Sequence, residues 1–204
     1  MNDLGRFDEG PWYNYIYDIK SVVINSGVTS IGDYAFNGCS EIISVSIPSS
    51  VTSFGMGAFY KNYMLSSINI PNSVKSIGEY AFENSGLTSI FIPQSINDIG
   101  NGVFKSCSKL ETINVSVENK AYISKDGVLF SCDITELIVC PQLKKGRYSI
   151  PYGVEKIAKY AFSQCSHLSY IYIPYGVEKI ADYAFYGCSQ LIHISIPYSV
   201  TDIG

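Results

Sequence analysis

The sequence predicts a repeat solenoid: a right-handed, β-rich coil with about eight parallel strands. Three recurrences predict it. An Ala-Phe-like pair stands at Ala35-Phe36, Ala58-Phe59, Ala81-Phe82, Val103-Phe104, Ala161-Phe162 and Ala184-Phe185, with steps of 23, 23, 22, 58 and 23 residues. An Ile-Pro pair keeps the same beat at Ile47-Pro48, Ile70-Pro71, Ile92-Pro93, Ile150-Pro151, Ile173-Pro174 and Ile196-Pro197. A Val-x-x-Ile-like segment opens each unit at Val28–Ile31, Val51–Phe54, Val74–Ile77, Ile96–Ile99, Val154–Ile157, Val177–Ile180 and Val200–Ile203. Units of this length cannot bury an apolar face alone, so they stack on their neighbours.

At the amino end, Trp12, Tyr13, Tyr15, Ile16 and Tyr17 precede the first strand. Residues 1–18 therefore read as a capping segment, itself incomplete, whose aromatic rings cover the open end of the first turn. The solenoid occupies residues 19–204. Its strands are expected near 19–24, 42–47, 65–70, 87–92, 110–115, 145–150, 168–173 and 191–196, one per turn. Within 65–70, Ile68 and Ile70 alternate with Ser67 and Asn69, as a half-buried strand requires, and Pro71 ends it for want of an N–H. A Gly or Ala follows every Val-x-x-Ile segment. Such a small residue either permits an unusual backbone angle or lets adjacent turns approach closely. The Phe of each Ala-Phe pair places one ring per turn, predicting a phenylalanine spine in the core.

The rhythm breaks near 116–146. Ser116 stands where a Pro is due, and Val128-Leu129-Phe130 and Leu137-Ile138-Val139 form two apolar runs that predict a hairpin, with Lys125-Asp126-Gly127 as a turn leading in. An insertion in a repeat array is either a loop on the binding face or an architectural bend or internal cap, and the sequence leaves both open. At the carboxyl end, Val200-x-x-Ile203 begins a unit that Gly204 closes before its Ala-Phe pair. The expectation is a piece of a longer protein with a truncated last turn.

Composition narrows the function classes. Of 204 residues, 47% are apolar and 16% charged, with a net charge of −4, so nothing favours nucleic acid or an anionic membrane as partner. No apolar run reaches the ~20 residues of a membrane span, so no insertion into a bilayer is expected. Residues 1–6 lack the basic-then-apolar order of a signal peptide. No His-Glu-x-x-His, phosphate-binding glycine loop or Gly-x-Ser-x-Gly occurs, and the two histidines, His167 and His193, fall a full turn apart. No enzyme, metal site or cofactor is expected.

Four of the six cysteines, Cys39, Cys107, Cys165 and Cys188, share one repeat position, which Asn62 and Ser85 fill in other turns. A position that accepts Cys, Asn or Ser wants a small group that hydrogen-bonds the neighbouring backbone, so a buried, reduced ladder is predicted. Cys132 and Cys140 lie on the expected hairpin, where a bridge stays open.

Outward strand positions are small in the first half: Ser44, Ser46, Ser66, Ser67, Asn69, Thr88 and Ser89, with Ile43 and Phe91 as exceptions. Toward the carboxyl end they become Tyr170, Tyr172, Ile192 and His193, while Tyr152, Tyr175 and Tyr198 follow their prolines one repeat apart. Tyrosines concentrate at interfaces because they bring area and a polar tip at little entropic cost. They also form ladders that merely stabilise a sheet. The candidate ligand-binding residues are Tyr170, Tyr172, Tyr175, Tyr198, His193 and Phe91. A second column, Tyr34, Tyr80, Tyr160 and Tyr183, reads as half-buried packing.

The unit from Val28 through Ile31, Ala35-Phe36, Cys39, Ile42 and Val45 to Ile47-Pro48 resembles the BspA-like (Treponema pallidum type) leucine-rich repeats, and the match runs over nearly the whole chain. The stretch Asn119…Asp126-Gly127-Val128-Leu129-Phe130…Leu137…Pro141 resembles an insertion of that family, and Pro11-Trp12-Tyr13 its amino-terminal cap. The resemblance implies a leucine-rich-repeat-like coil with short helical turns and one curved parallel sheet. It also implies a secreted or cell-surface bacterial protein that adheres to host matrix or plasma proteins or to other cells. The alternatives are spacer repeats that display another domain, or a glycan-binding module. The local departures are Tyr60-Lys61-Asn62-Tyr63 in place of Gly-Cys-Ser, and a short turn at Asn84-Ser85-Gly86.

Overall fold

The computed structural model describes residues 12–204, which form a β-solenoid of about eight turns. One 3-10 turn, Tyr13–Tyr15, is the single helical element among the described residues. The chain divides into two compact units, residues 1–88 with 95–107 and residues 89–94 with 108–204.

In the first unit, strand Ser21–Val23 pairs in parallel with Ser44–Ser46. The Val-x-x-Ile segments form a second parallel ladder, Ser30–Ile31, Ser53–Phe54, Ser76–Ile77 and Asp98–Ile99. In the second unit, Ser89–Ile92 pairs with Thr112–Val115, and Gly146–Ser149, Leu168–Tyr172 and His193–Ser195 form a three-stranded ladder. Its other ladder runs from Glu136–Val139 through Lys156–Ile157 and Lys179–Ile180 to Asp202–Ile203. The strands expected once per turn are thus joined by a second series, and they register as separate ladders. At 65–70 no strand forms, although Leu65 and Ile70 are buried on schedule; there the Thr88 N–H donates to Ser66 O at 3.0 Å without a continuing ladder.

The Ala-Phe segments are tight turns because each is bracketed by two left-handed residues four apart. Tyr34, Tyr80, Tyr160 and Tyr183 hold φ between 54° and 63°, while Lys61, Asn84, Ser106 and Gln164 hold φ near 60° at the second position. Side chains other than glycine rarely adopt this region, and it interrupts any helix. The geometry presents alternate N–H groups to the next turn: Phe36 N–H donates to Ala58 O (2.8 Å), Phe59 N–H to Ala81 O (2.7 Å) and Phe162 N–H to Ala184 O (2.8 Å). Tyr34, Tyr80 and Tyr160 are half-buried, as expected, but Tyr183 is exposed.

The phenylalanine spine is present in both units. Ring centroids are 5.5 Å apart for Phe36–Phe59, 5.4 Å for Phe59–Phe82, 5.8 Å for Phe82–Phe104 and 5.2 Å for Phe162–Phe185, all stacked. Trp12 stacks on Phe36 at 6.2 Å, with ring planes 2° apart. The rest of the expected cap up to Pro11 lies outside the described residues.

At Gly55, Gly78 and Gly100 of the first unit the glycine after Val-x-x-Ile permits close approach, while Ala158 and Ala181 hold the position in the second unit. A Cβ on Gly55 would lie 2.6 Å from the Asp33 backbone nitrogen, and one on Gly78 would lie 2.6 Å from the Gly55 carbonyl carbon. Neither glycine has a positive φ.

Cys39, Cys107 and Cys165 form the buried ladder the sequence predicts, whereas Cys188, the fourth member of the column, is only half-buried. Cys107 Sγ donates to Phe82 O (3.0 Å), Cys188 Sγ to Phe162 O (3.1 Å), and Asn62 Nδ2 to Phe36 O (2.8 Å) and Cys39 O (3.2 Å). All six cysteines are free. The bridge left open between Cys132 and Cys140 does not form, because Cys140 turns into the core while Cys132 faces solvent. Burial pushes the Cys39 and Cys107 thiols up to about 11 and that of Cys188 to about 12. The Cys165 thiol is also raised, first by hydrogen bonding with Cys140 and then by burial.

The hairpin in the irregular stretch is present and gains a third strand. Tyr122–Lys125, Val128–Ser131 and Glu136–Val139 form an antiparallel meander. Asp126 (φ 52°) and Gly127 (φ 78°) make the two-residue loop, both left-handed as a type I′ turn demands. Asn119 secures its entry: Nδ2 donates to Pro93 O at 2.8 Å, and Oδ1 accepts from the Ala121 and Tyr122 N–H groups. Val128, Leu129 and Phe130 are fully buried, so these residues extend the core instead of projecting a loop.

Candidate functional site

The aromatic strip lies on the ladder Gly146–Ser149, Leu168–Tyr172, His193–Ser195 of the second unit. Ile171 points inward and is buried, which leaves its neighbours Tyr170 and Tyr172 on the outer face, while the register shift at Ser169 lets Leu168 be buried as well. Register sets Arg147 beside Tyr170 and Tyr170 beside His193. The Arg147 guanidinium lies 5.0 Å from the Tyr170 ring centroid, and the Tyr170 and His193 rings stack at 6.3 Å with planes 16° apart. A cation, a phenol ring and an imidazole thus form one column across three strands. Next to it, Tyr172 stands between Ser149 and Ser195. Hydrogen bonding to the Tyr152 hydroxyl, reinforced by its charge, holds the Tyr172 phenol above its ordinary range.

The candidate residues separate into three groups. Tyr170, Tyr172 and His193 are brought together on one ladder. Tyr175 and Tyr198 occupy the turns after Pro174 and Pro197, with 77% and 105% exposure, and among the described residues no ring stacks on either. Phe91 is exposed opposite Asn114 on the separate ladder Ser89–Ile92 with Thr112–Val115 and does not join the tyrosine ladder. Arg147 was missed by the sequence reading. Its signal was an Arg 23 residues, one repeat, before the outward Tyr170.

A second feature also escaped the sequence. A cleft of about 360 Å³ opens in the second unit, lined among others by Ser108, Gln142, Gln164, Ser166, His167 and Tyr186. Its residues come from turns more than 20 positions apart, so only the stacking of turns assembles it. In the first unit a cleft of about 340 Å³ is lined by Tyr34, Tyr60, Lys61, Tyr80, Glu83 and Lys105. There Lys105 Nζ pairs with Glu83 at 2.8 Å, so much of the charge is internally neutralised. Among the described residues no group of three His, Cys, Asp or Glu side chains is placed to hold a metal, and no helix is long and apolar enough to cross a membrane.

The BspA type leucine rich repeat region matches residues 11–135 and 140–204 in six copies. No curated protein matches the chain. A leucine-rich repeat protein from Eubacterium ventriosum is similar at 34% identity and TM-score 0.84, over 100% of this chain and 61% of that one. The pneumococcal vaccine antigen PcpA is similar at 26% identity and TM-score 0.76, over 89% of this chain and 51% of that one. A leucine rich cell surface protein from Faecalibacterium prausnitzii shares the fold at 24% identity and TM-score 0.61, over 94% of this chain and 70% of that one. The chain therefore spans about three fifths of the length of the Eubacterium protein and half that of the pneumococcal antigen. With the repeat, the phenylalanine spine and the thiol ladder in place, the chain belongs to the BspA-type leucine-rich-repeat family.

Proposed function

We propose that this chain is a non-enzymatic, secreted or cell-surface binding module that adheres to a protein of host matrix, plasma or a neighbouring cell. The observation that carries the reading is the Arg147–Tyr170–His193 column with Tyr172 beside it, an outward cluster of the residue types that dominate binding hot spots. Similarity to an antigen of pneumococcus supports display outside the cell. Tyr175 and Tyr198, exposed in adjacent turns, extend the surface available to a partner.

The test is a binding panel of matrix and plasma proteins probed with this chain, followed by Tyr170→Ser with Tyr172→Ser. At least one partner is expected, with affinity reduced tenfold or more in the double variant, about 1.4 kcal/mol. A blank panel counts against the adhesive reading. A double variant that unfolds makes the tyrosines a stabilising ladder, which the half-burial and stacking of Tyr170 favour, and the repeats then serve as a spacer.

A further inference from the structure

We infer that the outer face of the ladder Gly146–Ser149, Leu168–Tyr172, His193–Ser195 takes an extended, acidic segment of a partner protein, with Arg147 and the Tyr152–Tyr172 phenols holding its carboxylates. The inference rests on the adhesive reading of this face and names the chemistry of the partner.

Charge carries the argument. Lys105, Lys156, Lys159 and Lys179 each pair with a carboxylate of an adjacent turn, on Glu83, Glu136, Asp182 and Asp202. For Lys156 and Lys179 those acids are the register neighbours on the other ladder of the same unit. Arg147 has a ring in that place. Its register neighbour is Tyr170, and His193 comes next. Arg147 is exposed, and among the described residues no carboxylate forms an ion pair with it. Lys145, two residues earlier, is likewise exposed and without an ion pair among them. The three strands of the ladder carry no Asp or Glu. On a chain of net charge −4 this face is therefore a local excess of positive charge. Such a patch selects partners of opposite charge and rejects those of like charge.

Geometry makes the partner an extended chain. The contact of 5.0 Å between the guanidinium and the Tyr170 ring centroid restrains Arg147 by its π-face. Its fork of N–H donors remains for a ligand and matches a carboxylate bidentately. Tyr172 and Tyr152 share one hydrogen bond between two phenols, which leaves an O–H to donate to a second carboxylate. Tyr172 lies two residues beyond Tyr170, so it is a diagonal neighbour of Arg147. Diagonal positions on paired strands are about 7–8 Å apart. Same-face side chains of an extended chain recur about every 6.6 Å, so acidic residues at alternate positions reach both groups.

Fluorescence anisotropy on this chain tests the inference with short labelled peptides of alternating Glu and Ser, Gln and Ser, and Lys and Ser, and with a heparin fragment. Binding of the Glu-Ser peptide in preference to the other three is expected, and it should weaken as salt is raised. Arg147→Gln should reduce that binding about tenfold or more. Arg147→Lys, which keeps the charge but not the fork, should recover part of the loss. Silence from the Glu-Ser peptide, equal binding of the Gln-Ser peptide, or tighter binding of heparin overturns the inference, as does undiminished binding by Arg147→Gln. Should Arg147→Gln unfold, the comparison of Glu with Gln on the parent chain still decides. A partner from the matrix and plasma panel that is weakened by the double variant at Tyr170 and Tyr172 but not by Arg147→Gln keeps the adhesive reading and overturns this one. A blank panel beside a bound Glu-Ser peptide does the reverse.

Discussion

Cys107 Sγ donates a 3.0 Å hydrogen bond to the carbonyl oxygen of Phe82, one turn back in the first unit. The same bond recurs from Cys188 to Phe162, and Asn62 makes it to Phe36. Each of these carbonyls also accepts the N–H three residues on in its own turn, so the small polar side chain from the next turn fills its second lone pair inside the core.

Because thiolate is the reactive form and burial raises these thiols, Cys39, Cys107 and Cys165 should resist labelling in the native protein while Cys132 reacts at once. Labelling at pH 8 with and without denaturant checks this. Rapid native modification of the column would sink the ladder.

The same shifts give a pH dependence. Cys39 and Cys107 ionise near 11 when folded and near the ordinary 9.0 when unfolded. Above pH 9 the unfolded chain releases these protons first, so the folded state binds more protons and stability falls with pH. The contribution is whole below pH 9 and lost by about pH 11. Melting temperatures measured across that window should decline, and Cys107→Ser should flatten the decline.

Asn62→Ala should cost about 1–3 kcal/mol, since two buried side-chain hydrogen bonds are lost and the Phe36 and Cys39 carbonyls keep only the turn N–H groups of Cys39 and Ile42. Asn62→Cys should cost less, because the column accepts Cys and the change removes a buried Oδ1 that has no partner. Urea unfolding of both variants decides it; equal losses would remove hydrogen bonding as the cause.

Gly78→Ala drives a methyl into the Gly55–Met56 backbone and should destabilise by about 1–3 kcal/mol. Gly32→Ala, at the same repeat position with nothing within 4 Å of its Cβ, should be near neutral. Thermal melts of the pair separate turn-to-turn clearance from any general cost of replacing glycine.

Phe59 is fully buried between the stacked rings of Phe36 and Phe82. Phe59→Ala should therefore cost about 3–5 kcal/mol, the range for an aromatic core truncation. Chemical denaturation provides the number, and a loss under 1 kcal/mol would show that the spine collapses to fill the gap.

The repeat itself was legible because its cause is local. Phe36, Phe59 and Phe82 recur on a fixed step, and a stacked unit must return its large ring to the same place. Periodicity likewise located Ile31, Phe54 and Ile77 in the core and put Cys107 and Asn62 in one column. It also placed Tyr170, Tyr172 and His193 on outward positions. What the chain order could not express was distance between turns. That Gly78 serves clearance and not backbone angle follows from where Gly55 lies, one turn away. The second ladder through Ser53–Phe54 and Ser76–Ile77 is too short to show alternation and exists only through inter-turn hydrogen bonds. The left-handed Tyr34 and Tyr80 defy intrinsic preference, and the bonds of their turns to the next turn hold them there. The Arg147–Tyr170–His193 column and the Gln142 cleft were decided by tertiary structure alone, because each gathers side chains that only stacking brings within reach.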